Sequence, residues 1–240
     1  MNSKKMKASI IAVYLFAIHA LLVVVLVNPD ILPGIQARTN LVSDASQQPE
    51  EVPFISMMRG VHQWMDSSVP AGATIFLGDS ITMALATAAV SDRPINYGIA
   101  WQRSDHLIQS MDIYKSIARA DRVFVMVGTN DLLQGCEEGI QSRYQTILSK
   151  IPNNVGVVMS SVPPLGDVVV NGKKIDSNVR DVVAIAKAVC EADKRCYFVN
   201  TYEALSTDGK PTQGALLPDQ IHLSPMGYQL WIEAMRGVRF

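Results

Sequence analysis

Histidine is scarce in this chain, cysteine is scarcer, and no stretch concentrates basic residues. Each shortage excludes something. Without a concentrated positive patch there is no footprint for nucleic acid. Three cysteines with no C-x-x-C spacing, and no Cys/His cluster, leave no set of ligands for a structural zinc. No G-x-x-x-x-G-K-[ST] run occurs, so a phosphate-cradling P-loop is excluded. No internal repeat or low-complexity tract is present, so the chain is not a solenoid. Four histidines leave few choices of general base. What remains is an ordinary globular composition, 48% hydrophobic and 18% charged over 240 residues. That is enough to build a core without metal or disulfide staples, in one large domain or two small ones.

The formal net charge of −1 conceals an asymmetry. Residues 1–27 carry Lys4, Lys5 and Lys7 and no acid. The rest holds 18 of the 21 basic residues against all 22 acidic ones. After the lysines, residues 8–27 read ASIIAVYLFAIHALLVVVLV, without a formal charge. Twenty helical residues span about 30 Å, the thickness of a bilayer's hydrocarbon core. The expectation is one N-terminal transmembrane helix within residues 1–27, its N-terminus inside by the positive-inside tendency. A cleaved signal sequence is the alternative; its apolar region is normally shorter, about 7–15 residues. Under either reading the body lies outside the cytoplasm, in the periplasm or extracellular space, anchored or secreted. His19 falls inside the apolar run and is given no function. Residues 28–52 are polar and proline-containing and read as a linker. Residues 53–240 are then the folded domain. Cys190 and Cys196 flank EADKR and are free to pair in an oxidising compartment, with Cys136 left over.

From residue 74 onward the pattern alternates. Strand-like runs appear at 74–77, 95–97, 122–127, 155–160 and 197–199. Helix-like segments lie at 81–90, 105–118, 137–150, 177–192 and 224–235. RVFVMV and VGVVMS are nearly continuous apolar runs, as expected of central parallel strands covered on both faces. Alternation of this kind predicts an α/β fold, a parallel sheet with helices on both sides. Such sheets bind ligands beyond the carboxyl ends of their strands. The residues there are Gly78-Asp79-Ser80, Gly98-Ile99-Ala100-Trp101, Gly128-Thr129-Asn130-Asp131 and Ser161-Val162-Pro163-Pro164.

Ser80 follows the first strand and opens a helix. It fits an N-cap, worth about 1 kcal/mol. It equally fits a nucleophile at a helix N-terminus, where backbone N–H groups favour developing negative charge. A nucleophilic serine needs a base and an orienter for that base. His62 in GVHQWM packs or faces water, and His106 in RSDHLI opens a helix. His222 lies in PDQIHLSP with Asp219 three residues before it, placed to bond the imidazole. Asn130, after the third strand, has an amide to offer an oxyanion, although a turn would use it too.

In this order, Gly78-Asp79-Ser80, Gly128-Thr129-Asn130-Asp131 and Asp219-x-x-His222 resemble the GDSL, or SGNH, hydrolase family over about residues 73–235. The resemblance implies a flavodoxin-like three-layer α/β/α sandwich and hydrolysis of an ester through an acyl-enzyme. It implies that Ser80 is the nucleophile, His222 the general base and Asp219 its orienter. Asn130 and the Ser80 backbone N–H become oxyanion donors. No metal or organic cofactor is implied. The substrate is a small-molecule, glycan or lipid ester. An O-acyltransferase acting on an envelope polysaccharide, or a weakly active binding protein, would use the same frame. One block departs. The family shows Asn-x-Gly-Ile-x-Gly after the second strand, its last glycine giving a third oxyanion N–H. This chain has Trp101 there, so the third donor is not carried over. Trp101 and Arg103 either shape substrate choice or are a packed aromatic beside a solvated arginine. Asp79 is expected to brace its loop.

Overall fold

The computed structural model describes residues 53–238. The anchor expected within 1–27 and the linker expected at 28–52 lie outside the described residues. Among the described residues no helix is long and apolar enough to cross a membrane.

Helix α1 runs from Pro53 to Asp66, with proline at a first position where its missing N–H costs nothing. Strand β1 (Thr74–Gly78) follows, then the short α2 (Ser80–Met83), β2 (Pro94–Gly98), α3 (Ser104–Met111) and β3 (Arg122–Met126). Next come α4 (Thr129–Leu133), α5 (Ile140–Ser149) and β4 (Gly156–Ser160). A hairpin of β5 (Val169–Val170) and β6 (Lys173–Lys174) precedes α6 (Asp176–Glu191) and β7 (Cys196–Val199). Helix α7 (Thr201–Ala204), a second hairpin of β8 (Ser206–Thr207) and β9 (Lys210–Pro211), and α8 (Pro225–Arg236) complete the chain.

The five long strands form one parallel sheet in the order β2-β1-β3-β4-β7. This is the flavodoxin-like order, and its topological switch point lies between β1 and β3. Both faces are covered. On one, Phe76 stacks on Phe124 at 4.7 Å, and Trp231 of α8 donates to Ser160 Oγ at 3.0 Å. On the other, Tyr97 stacks on Tyr114 at 4.2 Å with His62 of α1 against it. His62 is therefore a core residue. Its Nδ1 lies 2.9 Å from the Tyr114 hydroxyl, and burial pushes its pKa down to about 4.

The expected strands match within a residue or two, but two expected helices break. The segment expected at 81–90 is helical only to Met83, with a 3₁₀ turn at Thr87–Ala89. The Asn96 side chain explains this. Its Nδ2 donates to the carbonyls of Thr82 (2.8 Å), Met83 (3.3 Å) and Leu85 (3.4 Å), which satisfies groups a longer helix would use. The segment expected at 105–118 stops at Met111 and resumes as a 3₁₀ turn at Lys115–Arg119. There the buried Asp66 carboxylate of α1 accepts the Ser116 N–H at 3.1 Å. Cys190 and Cys196 form a disulfide, and Cys136 is free and exposed.

Candidate active site

The sheet register assembles the site. Gly78 at the end of β1 lies opposite Gly98 of β2 on one side and Met126 of β3 on the other. The loops after these three strands therefore leave the sheet side by side. Close approach is built in: a Cβ on Gly98 would sit 2.3 Å from the Met83 nitrogen, so β2 packs directly on α2.

Ser80 is the first residue of α2, and the helix is capped by its neighbour. Asp79 Oδ1 accepts the Ile81 N–H at 3.0 Å. The capping alternative for Ser80 is thereby overturned, and its hydroxyl is left for other work. Ser80 Oγ lies 2.9 Å from His222 Nε2. His222 Nδ1 lies 2.7 Å from Asp219 Oδ2, while Asp219 Oδ1 accepts the backbone N–H groups of Ile221 and His222, both at 3.0 Å. Partial burial pushes the Asp219 carboxyl up. The two backbone donors and the imidazole outweigh it and hold the group below the usual carboxylate range. The histidine loop is tied down by the Leu217 N–H donating to His222 O at 2.8 Å and a bridge between Leu216 and Leu223. From α8, the Tyr228 hydroxyl donates to Ile81 O at 2.9 Å, bracing the last helix against the serine helix.

Asn130 sits in the first turn of α4 and is buried. Its Nδ2 donates to Gln102 O at 3.1 Å. That bond takes one of the two amide hydrogens. Gln102 was not anticipated. It is fully buried, its Nε2 donates to Gly78 O at 2.8 Å, and its Oε1 accepts the Ser110 hydroxyl at 2.8 Å. One residue thus joins the end of β1 and α3 through its side chain and the Asn130 turn through its backbone carbonyl. Asp131 was part of the motif without an assigned task. It accepts the Ser104 N–H at 2.9 Å and the Ser104 hydroxyl at 2.5 Å, with Arg143 at 3.2 Å. It clamps the 99–104 loop to α4.

Trp101 adopts φ 61°, in the left-handed region where glycine is at ease and tryptophan is not. Its ring is 56% exposed and meets Phe54 edge-on at 5.9 Å. Arg103 corrects an expectation. It is not solvated: its guanidinium forks onto Asp105 at 3.0 and 2.7 Å and reaches Gln134 at 2.8 Å. His106 is buried beside it, its Nδ1 3.5 Å from the Arg103 nitrogen, so it belongs to the start of α3.

Asp79 carries an unresolved cost. It is fully buried, and its Oδ2 has no hydrogen-bond partner. Burial lifts its pKa to about 7, against the Ile81 N–H that pulls it down. Among the described residues there is no cluster of His, Cys, Asp and Glu that would hold a metal.

With this geometry in hand, comparison with known proteins is informative. Residues 76–230 match the GDSL-like lipase/acylhydrolase family. No curated protein matches the chain. Several solved structures share the fold. A Streptococcus pneumonia protein provisionally named a platelet activating factor aligns with TM-score 0.72 at 17% identity, over 86% of this chain and 98% of its own. A GDSL-like lipase from Bacteroides thetaiotaomicron gives 0.61 at 16% identity, over 75% and 95%. A catalytic mutant of an acetylxylan esterase from Geobacillus stearothermophilus gives 0.54 at 18% identity, over 70% and 96%.

Proposed function

Because the chain belongs to the GDSL-like lipase/acylhydrolase family and is an ester hydrolase by that membership, we propose that it cleaves carboxylic esters through an acyl-enzyme on Ser80, outside the cytoplasm. The observation that carries this reading is the hydrogen-bonded line from Ser80 Oγ through His222 to Asp219. Each distance is within reach for proton transfer.

His222 Nε2 takes the Ser80 proton as Oγ attacks the ester carbonyl. Asp219 holds Nδ1 protonated and stabilises the imidazolium. The carbonyl oxygen becomes an oxyanion, met by the Asn130 amide and the Ser80 backbone N–H. Collapse expels the alcohol, which takes the proton from His222. Water then attacks the acyl-enzyme by the same route, releasing the acid and restoring Ser80. Acetyl and longer acyl esters fit this chemistry, and the acetylxylan esterase among the structural neighbours supports the acetyl end of that range. The placement outside the cytoplasm, and the anchoring to a membrane, are supported by the lysines before the uncharged run at 8–27.

The test is labelling by a fluorophosphonate together with turnover of an aryl acetate. The wild-type chain is expected to label and turn over, and Ser80→Ala to do neither while remaining folded. Wild-type turnover by Ser80→Ala would overturn the mechanism.

A further inference from the structure

Helix α1 is apolar where a surface helix is normally charged. Trp64 is 77% exposed and Met57 56% exposed, and Met65 is exposed too. At about 100° per residue, Trp64, Met57, Val61, Phe54 and Met65 fall within a single arc of about 100°. No charged side chain lies in that arc. Arg59 turns inward, donating to Ser110 Oγ at 2.9 Å and His106 O at 2.8 Å, and Asp66 is buried. The arc continues onto the 99–104 loop through the edge contact of Phe54 with the exposed Trp101. Contiguous exposed apolar surface of this kind marks an interaction face.

The chain outside the described residues indicates the occupant. Helix α1 begins at Pro53, directly after the 28–52 segment that follows the uncharged run at 8–27. The 28–52 segment is 25 residues long, so α1 is the element of the domain with the shortest chain connection to the uncharged run. Tryptophan is favoured at the bilayer interface, where its ring is half apolar and half wet. We propose that the apolar arc of α1, together with Trp101, rests on the lipid surface that anchors the chain, presenting Ser80 to esters carried at that surface. This rests on the membrane-anchored esterase reading. The contact is made by apolar burial without lysine or arginine, so it does not require anionic lipid and is insensitive to salt.

The tryptophans make the test direct. The chain has three, Trp64, Trp101 and Trp231, and Trp231 is buried in the core. The full chain is reconstituted in phosphatidylcholine liposomes with brominated acyl chains, which quench nearby indoles. Quenching is expected in the wild type, reduced in Trp64→Phe and in Trp101→Phe, and absent in the double variant that keeps only Trp231. It is expected to persist in high salt. Protein that floats with the liposomes but is not quenched overturns the docked face and leaves the anchor standing. Protein that does not float overturns both. Fluorophosphonate labelling of Ser80 in the same samples reports the catalytic reading separately.

Discussion

Trp101 offers a sharp test of the site's backbone geometry, because two small substitutions there should behave differently. At φ 61° a residue with a Cβ carries a strain of about 1–2 kcal/mol that glycine does not. Both Trp101→Gly and Trp101→Ala lose the edge contact with Phe54, worth about 0.5–1.5 kcal/mol. Both lose little burial, since the ring is already more than half exposed. Only the glycine relieves the strain. Against this stands the greater freedom of glycine in the unfolded chain, about 0.4–1 kcal/mol. The glycine variant should therefore be about 0.5–1 kcal/mol more stable than the alanine variant. The alanine variant should lie about 1 kcal/mol below the wild type. The assay is urea unfolding of all three, read as a shift of midpoint at constant slope. A glycine variant no more stable than the alanine variant would refute the left-handed assignment. The family pattern's glycine at this position would then owe nothing to backbone strain.

Two further outcomes follow from the same site. Asn130→Ala should lower kcat by about 10²–10³, the usual cost of one oxyanion donor. The KM for a small aryl ester should change much less, and an equal loss in KM alone would point to substrate binding instead. Asp79→Asn should change how stability depends on pH. The buried carboxyl keeps its proton to about pH 7, whereas the unfolded chain releases it near 3.8. Between those values folding takes up a proton, so this group's contribution falls as pH rises from about 4 to about 7. The asparagine variant should thus gain on the wild type across that window, measured as urea midpoints at both ends. A variant-minus-wild-type difference that stays constant, or falls with rising pH, would show that Asp79 is ionised in the fold.

The parts of the fold that were legible in the sequence are those decided locally. RVFVMV and VGVVMS could only be buried strands, and they became β3 and β4. The N-terminus of α8 is marked by Ser224 and Pro225, and Ser224 Oγ does accept the Gly227 N–H at 3.1 Å. Two hairpins were missed although the signal was present. Asn171-Gly172 and Asp208-Gly209 both take positive φ, as such pairs do in tight two-residue turns. The broken helices were not legible, because the groups that break them, Asn96 and Asp66, come from other elements. Helix α1 was hidden for a related reason. Its polar and apolar sides contrast strongly, but the apolar residues Met57, Trp64 and Met65 face outward while Arg59, His62 and Asp66 face inward, the reverse of the usual surface helix. Gln102 was invisible for the deepest reason. Its role depends on β1 and β3 being neighbours, which only the sheet order reveals.

The pairing of Asp79 with Ser80 shows how the site resolves a conflict that the motif poses. A hydroxyl at a helix start is drawn toward the free backbone N–H groups and would spend itself as a cap. Asp79, one residue earlier, takes the Ile81 N–H instead. Its carboxyl reaches one atom farther than a serine hydroxyl does, and it leaves Ser80 Oγ directed to His222. The arrangement has a cost, because the second carboxyl oxygen is buried without a partner. Asp131 and Gln102 do for the opposite wall what Asp79 does for the serine. They bind the 99–104 loop and the Asn130 turn to each other and to β1 before any substrate arrives. Three buried polar residues therefore hold the site together at the switch point of the sheet, and the Ser80 hydroxyl is spared structural duty. That division accounts for the acid that precedes the serine better than any share in proton transfer, since Asp219 already occupies the far side of the imidazole.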